Sequence, residues 1–81
     1  MNNPIELARK QLEVSVKEFA LLCNLHRMTI RSNEAGDEIK PSPRILSFLA
    51  TQGFNEEQIE VDYQRFREWK REQLAKKVLT K

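Results

Sequence analysis

Cysteine and histidine occur once each in this 81-residue chain, as Cys23 and His26. A lone cysteine excludes an intrachain disulfide and any cysteine-based metal cage. Its neighbours Leu21, Leu22 and Leu25 make it a small buried hydrophobe. The two glycines, Gly36 and Gly53, form no phosphate-cradling loop, and no metal-ligand spacing occurs, so neither a cofactor nor a metal is expected. No apolar run approaches the roughly 20 residues needed to cross a bilayer. The opening Met-Asn-Asn-Pro-Ile-Glu lacks the basic start and apolar block of a secretion signal, and a cytoplasmic protein with no membrane partner is expected. Net charge is only +2, too little to identify a partner from the total. At 40% hydrophobic and 32% charged residues the composition is that of a folded chain. Its length allows one small core and little room for a catalytic cleft.

What is present is a succession of helix signals. Asn3 and Pro4 open the first helix as N-cap and first position, with Glu6 completing a capping box. Ile5, Leu7, Ala8, Leu12 and Val14 supply a buried face ending near Glu13, while Arg9 and Lys10 read as solvated surface. Ser15 and Glu18 form a second capping box, and Val16, Phe19, Ala20 and Cys23 follow at helical spacing. Ala20 admits a close helix crossing. Asn24 stands where the chain leaves that helix with positive φ. Leu25 and Ile30 then return to the core, which leaves Arg27, Met28, Arg31 and Ser32 on the outside of a third short helix. Arginines and a flexible apolar side chain on such a helix suit a DNA major groove.

The run from Ser15 to Gly36 resembles the helix-turn-helix of the Cro and phage-repressor family, the xenobiotic-response-element type. Phe19-Ala20 stand at its leucine-alanine, Asn24-Leu25-His26 at its glycine-valine-serine turn, Thr29-Ile30 at its small polar residue and isoleucine, and Glu34-Ala35-Gly36 at its closing glutamate-x-glycine. The similarity continues through Lys40-Pro41-Ser42 and Leu46 to Gly53-Phe54. It implies an all-α, five-helix, lambda-repressor-like domain that binds double-stranded DNA as a transcriptional regulator. Base contacts would come from Arg27, Met28, Arg31 and Ser32, and phosphate contacts from Ser15, Lys17, His26, Lys40, Ser42 and Arg44. His26 serves equally well as a structural residue at the helix start, and Ser42 as a cap alone. The sequence departs from the family at three places. Val16 replaces a phosphate-binding glutamine, Asn24 replaces the turn glycine, and Asn33 takes the place of a large buried apolar residue. Asn33 therefore either loosens the packing or finds a hydrogen-bond partner.

After Gly36, residues 37–41 read as a loop. Ser42 and Pro43 open a fourth helix whose apolar face is Ile45, Leu46, Phe48, Leu49 and Ala50, and Gly53 ends it. Asn55 caps a last helix that no glycine or proline interrupts through Lys81, allowing roughly 23 residues and about 35 Å. The organisation expected is a core over residues 1–54 and a long helix over 55–81. The charge surplus falls in the tail of that helix, where Arg65, Arg67, Lys70, Arg71, Lys76, Lys77 and Lys81 outnumber Glu68 and Glu72, and Trp69, Leu74 and Val78 would overhang the core as a homodimer surface. A two-fold pair would present two recognition helices to half-sites roughly 34 Å apart. The low charge, Val16, Asn33 and the apolar tail also suit a second reading, the same fold as a protein-binding module. Catalysis is not expected, because Glu56, Glu57, Glu60 and Asp62 lie in the first turns of a helix, where the dipole favours acids.

Overall fold

The computed structural model describes residues 1–79, which form five helices and no strand. These are α1 (Pro4–Gln11), α2 (Val16–Cys23), α3 (Arg27–Ala35), α4 (Pro43–Thr51) and α5 (Glu56–Leu79). One core joins them: Ile5, Phe19, Ile30, Ile45, Leu49 and Tyr63 are all fully enclosed. Phe19 meets Phe48 edge to face, ring centres 5.8 Å apart. The first turns of α5 supply Ile59, Tyr63 and Phe66 to the buried set, so the residues before 55 share their interior with it. The last two residues of the expected helix, 80 and 81, lie outside the described residues.

Four of the helices end in the same way. Glu13, Asn24, Gly36 and Gly53 each have positive φ, and only two of them are glycines. At each, the next residue's N–H reaches back across the last turn: Val14 to Arg9, Leu25 to Ala20, Asp37 to Ser32 and Phe54 to Leu49. This is the Schellman arrangement, in which an apolar residue after the turn covers the end of the helix. Val14, Leu25 and Phe54 do so. Asp37 is the exception, and α3 is the helix whose end is held by other means.

Several local expectations are corrected. Asn3 caps α1 by accepting from the Ile5 N–H at 2.8 Å, but no box forms with Glu6. The Asn3 amide is instead buried and donates to the Asn33 carbonyl at 2.9 Å, which fixes its orientation. Leu7 is exposed, since two positions from Ile5 is about 200° around the helix. Ala50 is exposed for a related reason, being about 120° from the mean of Ile45 and Leu49. Arg9 is not solvated. Its Nε and a terminal nitrogen clasp the Glu34 carboxylate at 2.7 and 3.0 Å, and its other nitrogen donates to the Val14 carbonyl. This pairing raises the Arg9 pKa above its ordinary value and ties α1 to α3.

The second capping box forms as expected, with Ser15 Oγ accepting from Glu18 N–H and the Glu18 carboxylate accepting from Ser15 N–H. That backbone bond, aided by the hydroxyl, holds the Glu18 carboxyl below its usual range. Its contribution is present above the unfolded carboxyl pKa and is lost as pH falls through the lowered value.

Candidate nucleic-acid interface

The turn between α2 and α3 is built from backbone chemistry. Asn24 takes φ 55° and ψ 48°, and the Leu25 N–H closes the turn on the Ala20 carbonyl at 2.9 Å. Ala20 is buried, which keeps the two helices close. His26 then caps α3: its Nδ1 accepts from the Met28 N–H at 3.1 Å, the work a serine or aspartate oxygen does at other helices. The ring's other nitrogen remains at the surface. Cys23 lies on the buried side of α2, where desolvation pushes its thiol up to about 11.

Around α3 the residues sort by angle. Ile30 and Asn33 face inward, and Met28 and Ala35, seven positions apart, form the crest of the opposite side. Arg27 and Arg31 border that crest on one edge. Both are exposed, and neither guanidinium has a partner among the described residues. Ser32 borders the other edge, where its hydroxyl donates to Glu38 Oε1 at 3.0 Å. The outer face is thus polarised, with guanidinium groups along one edge and a carboxylate along the other. Met28, Arg31, Ser32 and Glu38 share the lining of a shallow hollow of about 490 Å³.

The residues expected to contact phosphate divide in the same manner. Lys17 and Lys40 are exposed. Arg44 donates one nitrogen to the Asn24 carbonyl at 2.8 Å, bracing the turn, with the rest of its guanidinium at the surface. The Ser15 N–H is taken by Glu18. Ser42 starts α4 without a side-chain cap, and its N–H is taken by Asn33 Oδ1 at 2.8 Å. Asn33, which is buried, also donates to the Thr29 carbonyl at 2.9 Å, so both ends of its amide are satisfied. Between α2 and α3 an open groove of about 520 Å³ runs past Lys17, Leu21, Leu25 and Arg27. Leu21, on its rim, is 83% exposed.

The far end of α3 is held by α5, a set of contacts that local sequence reading misses. Arg67 Nε donates to the Gly36 carbonyl at 2.9 Å, and Lys70 donates to the Ala35 carbonyl while pairing with Asp37 at 3.6 Å. Tyr63 Oη donates to the Glu38 carbonyl at 2.7 Å, and Gln64 to that of Ile39 at 2.8 Å. Phe66 lies so close that a Cβ on Gly36 would come within 3.3 Å of its ring. The spacing 63, 67, 70 was the available signal. It places an aromatic and two cations on one stripe of α5, where cations meet the negative end of another helix.

The proposed dimer residues are exposed but do not form a strip. Trp69, Leu74 and Val78 are 38%, 54% and 69% accessible. Leu74 is about 140° from Trp69 around the helix and Val78 about 180°, so the tryptophan stands on one flank and the aliphatics on the other. Trp69 leans on Phe66, ring centres 5.9 Å apart. Among the described residues no cluster of metal-ligating side chains occurs, and no helix is long and apolar enough to cross a membrane. Compared with protein-family models, curated proteins and solved structures, the chain matches none.

Proposed function

We propose that this protein is a sequence-specific double-stranded DNA-binding regulator of helix-turn-helix type, similar to the small phage and mobile-element repressors. The observation that carries the reading is the outer face of α3, where Arg27 and Arg31 stand exposed and, among the described residues, unpaired on a helix capped at its start and clamped at its end. Rigid placement of guanidinium groups is what reading guanine edges requires, and Met28 on the crest suits a thymine methyl. Lys17 and His26 share a groove with Arg27, and Lys40 and Arg44 are exposed; these four, His26 through its outer ring nitrogen, supply phosphate contacts. No catalytic role is proposed.

A dimer forms through one flank of α5, that of Leu74 and Val78. If each protomer neutralises about four phosphates, the dimer's affinity falls with salt at a log–log slope near −7. The test is selection of bound duplexes from a random pool, then affinity measurement at two salt concentrations. The paired change Arg27→Ala and Arg31→Ala is expected to weaken binding at least about a hundredfold, from two lost base contacts. Affinity that ignores salt, or that survives the paired change, removes the proposal.

One observation favours a second reading, a protein-binding module. Leu21 and Leu22 are exposed side by side on α2, and Leu21 borders the groove leading to Arg27. A leucine there does nothing for phosphate. Under this reading Leu21→Asp abolishes association with a protein partner, whereas loss of both arginines matters little.

A further inference from the structure

We propose that Glu38, in the loop behind α3, reads the exocyclic amino group of cytosine and so sets the base preferred at one position of the DNA site. The inference rests on the DNA-binding reading above and adds a residue to it.

Three observations converge on this side chain. Its carboxylate stands beside the outer face of α3, across the Met28–Ala35 crest from the two arginines, in the hollow that Met28, Arg31 and Ser32 also line. It is held there, because Ser32 Oγ donates to its Oε1 at 3.0 Å while its own carbonyl is fixed by the Tyr63 hydroxyl at 2.7 Å. No lysine or arginine among the described residues pairs with it, so it is not half of an ion pair that would explain its presence. The hydroxyl occupies one lone pair and leaves Oε2 open.

A carboxylate brought to a phosphate surface is repelled unless a donor meets it. In the major groove the donors are the amino groups of cytosine and adenine. Adenine sets its N7 acceptor beside the amino group, against a second carboxylate oxygen, whereas cytosine offers the amino group without an acceptor on the same base. Cytosine is therefore the favoured partner. Ser32 acts here as a positioning residue: its hydroxyl aims the carboxylate and does not itself reach the base.

The experiment selects duplex oligonucleotides from a random pool with the full chain and with Glu38→Gln, Ser32→Ala and Arg31→Ala, and then measures affinities for single-base variants of the selected site. The side chains of Glu38 and Ser32 enclose no core and the Tyr63 bond is to main chain, so both variants are expected to keep the wild-type melting curve. Cytosine at one position is expected to be favoured by about tenfold over other bases, within the range of a single good base contact. Glu38→Gln flattens that preference to less than about twofold, Ser32→Ala weakens it part-way, and Arg31→Ala changes a different position. If Glu38→Gln instead tightens binding to every duplex alike and leaves the selected site unchanged, Glu38 only repels phosphate and the inference is overturned. A wild-type chain that selects no sequence overturns the DNA-binding reading itself and this inference with it. A wild-type site whose preferences all follow Arg27 and Arg31 overturns only the role of Glu38.

Discussion

At its start α3 is held by its own sequence, and at its finish by another helix. His26 caps the first turn with a ring nitrogen two residues from the N–H it accepts, and Asn24 supplies the left-handed turn just before. The last carbonyls are taken by Arg67 and Lys70, 31 and 35 residues further along the chain, and the loop beyond by Tyr63 and Gln64, each 25 residues from its partner. The difference follows from the residue after Gly36. Where the other Schellman turns put Val14, Leu25 or Phe54 over the helix end, α3 has Asp37, which cannot cover it. A polar residue there is compensated by cations from α5, so the orientation of the outer face depends on a helix that does not itself carry that face.

Asn33 joins the two halves of this comparison, and replacing it is expected to have the largest effect. Its side chain bonds Thr29 within α3 and Ser42 at the start of α4, and its carbonyl receives the Asn3 amide. Asn33→Ala leaves the partly buried Ser42 N–H without the acceptor that Asn33, itself 1% exposed, supplies. A buried donor left unpaired costs about 1–3 kcal/mol, and the lost volume adds to it. In a domain of this size that is a large part of the whole stability, and chemical denaturation with α-helical circular dichroism measures it. A loss under about 0.5 kcal/mol would mean that water replaces the amide and that α3 and α4 are not joined through it.

What the sequence alone discloses follows the same division. The capping box at Ser15, the positive φ at Asn24, the glycine ending α3, and the inward positions of Phe19, Ala20, Cys23 and Ile30 each depend on residues within a turn of one another, and each is present. So are the exposed positions of Arg27, Met28 and Arg31. The errors come where a partner lies far along the chain. Arg9 reads as surface because nothing near it suggests Glu34, and Ser42 reads as a capping side chain because its backbone bond to Asn33 is invisible locally. The bond from the Ser32 hydroxyl to Glu38 is equally absent from the local pattern. Trp69, Leu74 and Val78 are a different case. Their exposure is legible, but angles about a helix separate them onto two flanks.

The clamp on the far end is next in expected size. Arg67→Ala with Lys70→Ala frees the Ala35 and Gly36 carbonyls, which water then solvates at a partly exposed site. The expected cost is about 1–2 kcal/mol, combining the two hydrogen bonds with the favourable placement of cations at a helix C-terminus. Amide hydrogen exchange gives the sharper result: protection is expected to fall in the last turn of α3 and in residues 36–39 more than in α2. If exchange rises equally in α2 and α3, the clamp contributes only to global stability, and the contrast between the two ends fails.

The smallest effect belongs to the cap at the start. His26→Ala removes one acceptor at an exposed helix N-terminus, for an expected loss of about 1 kcal/mol, and His26→Ser restores it, since a serine oxygen accepts from the same N–H. The pair also separates the two roles of this residue. Serine replaces the Nδ1 cap but lacks the outer ring nitrogen, so a histidine that only caps gives a serine variant with wild-type stability and wild-type DNA affinity. A histidine that also reaches phosphate gives a serine variant that is stable yet binds more weakly. Its salt dependence is expected to stay the same, because a ring that accepts at Nδ1 meets phosphate as a dipolar N–H and neutralises no charge.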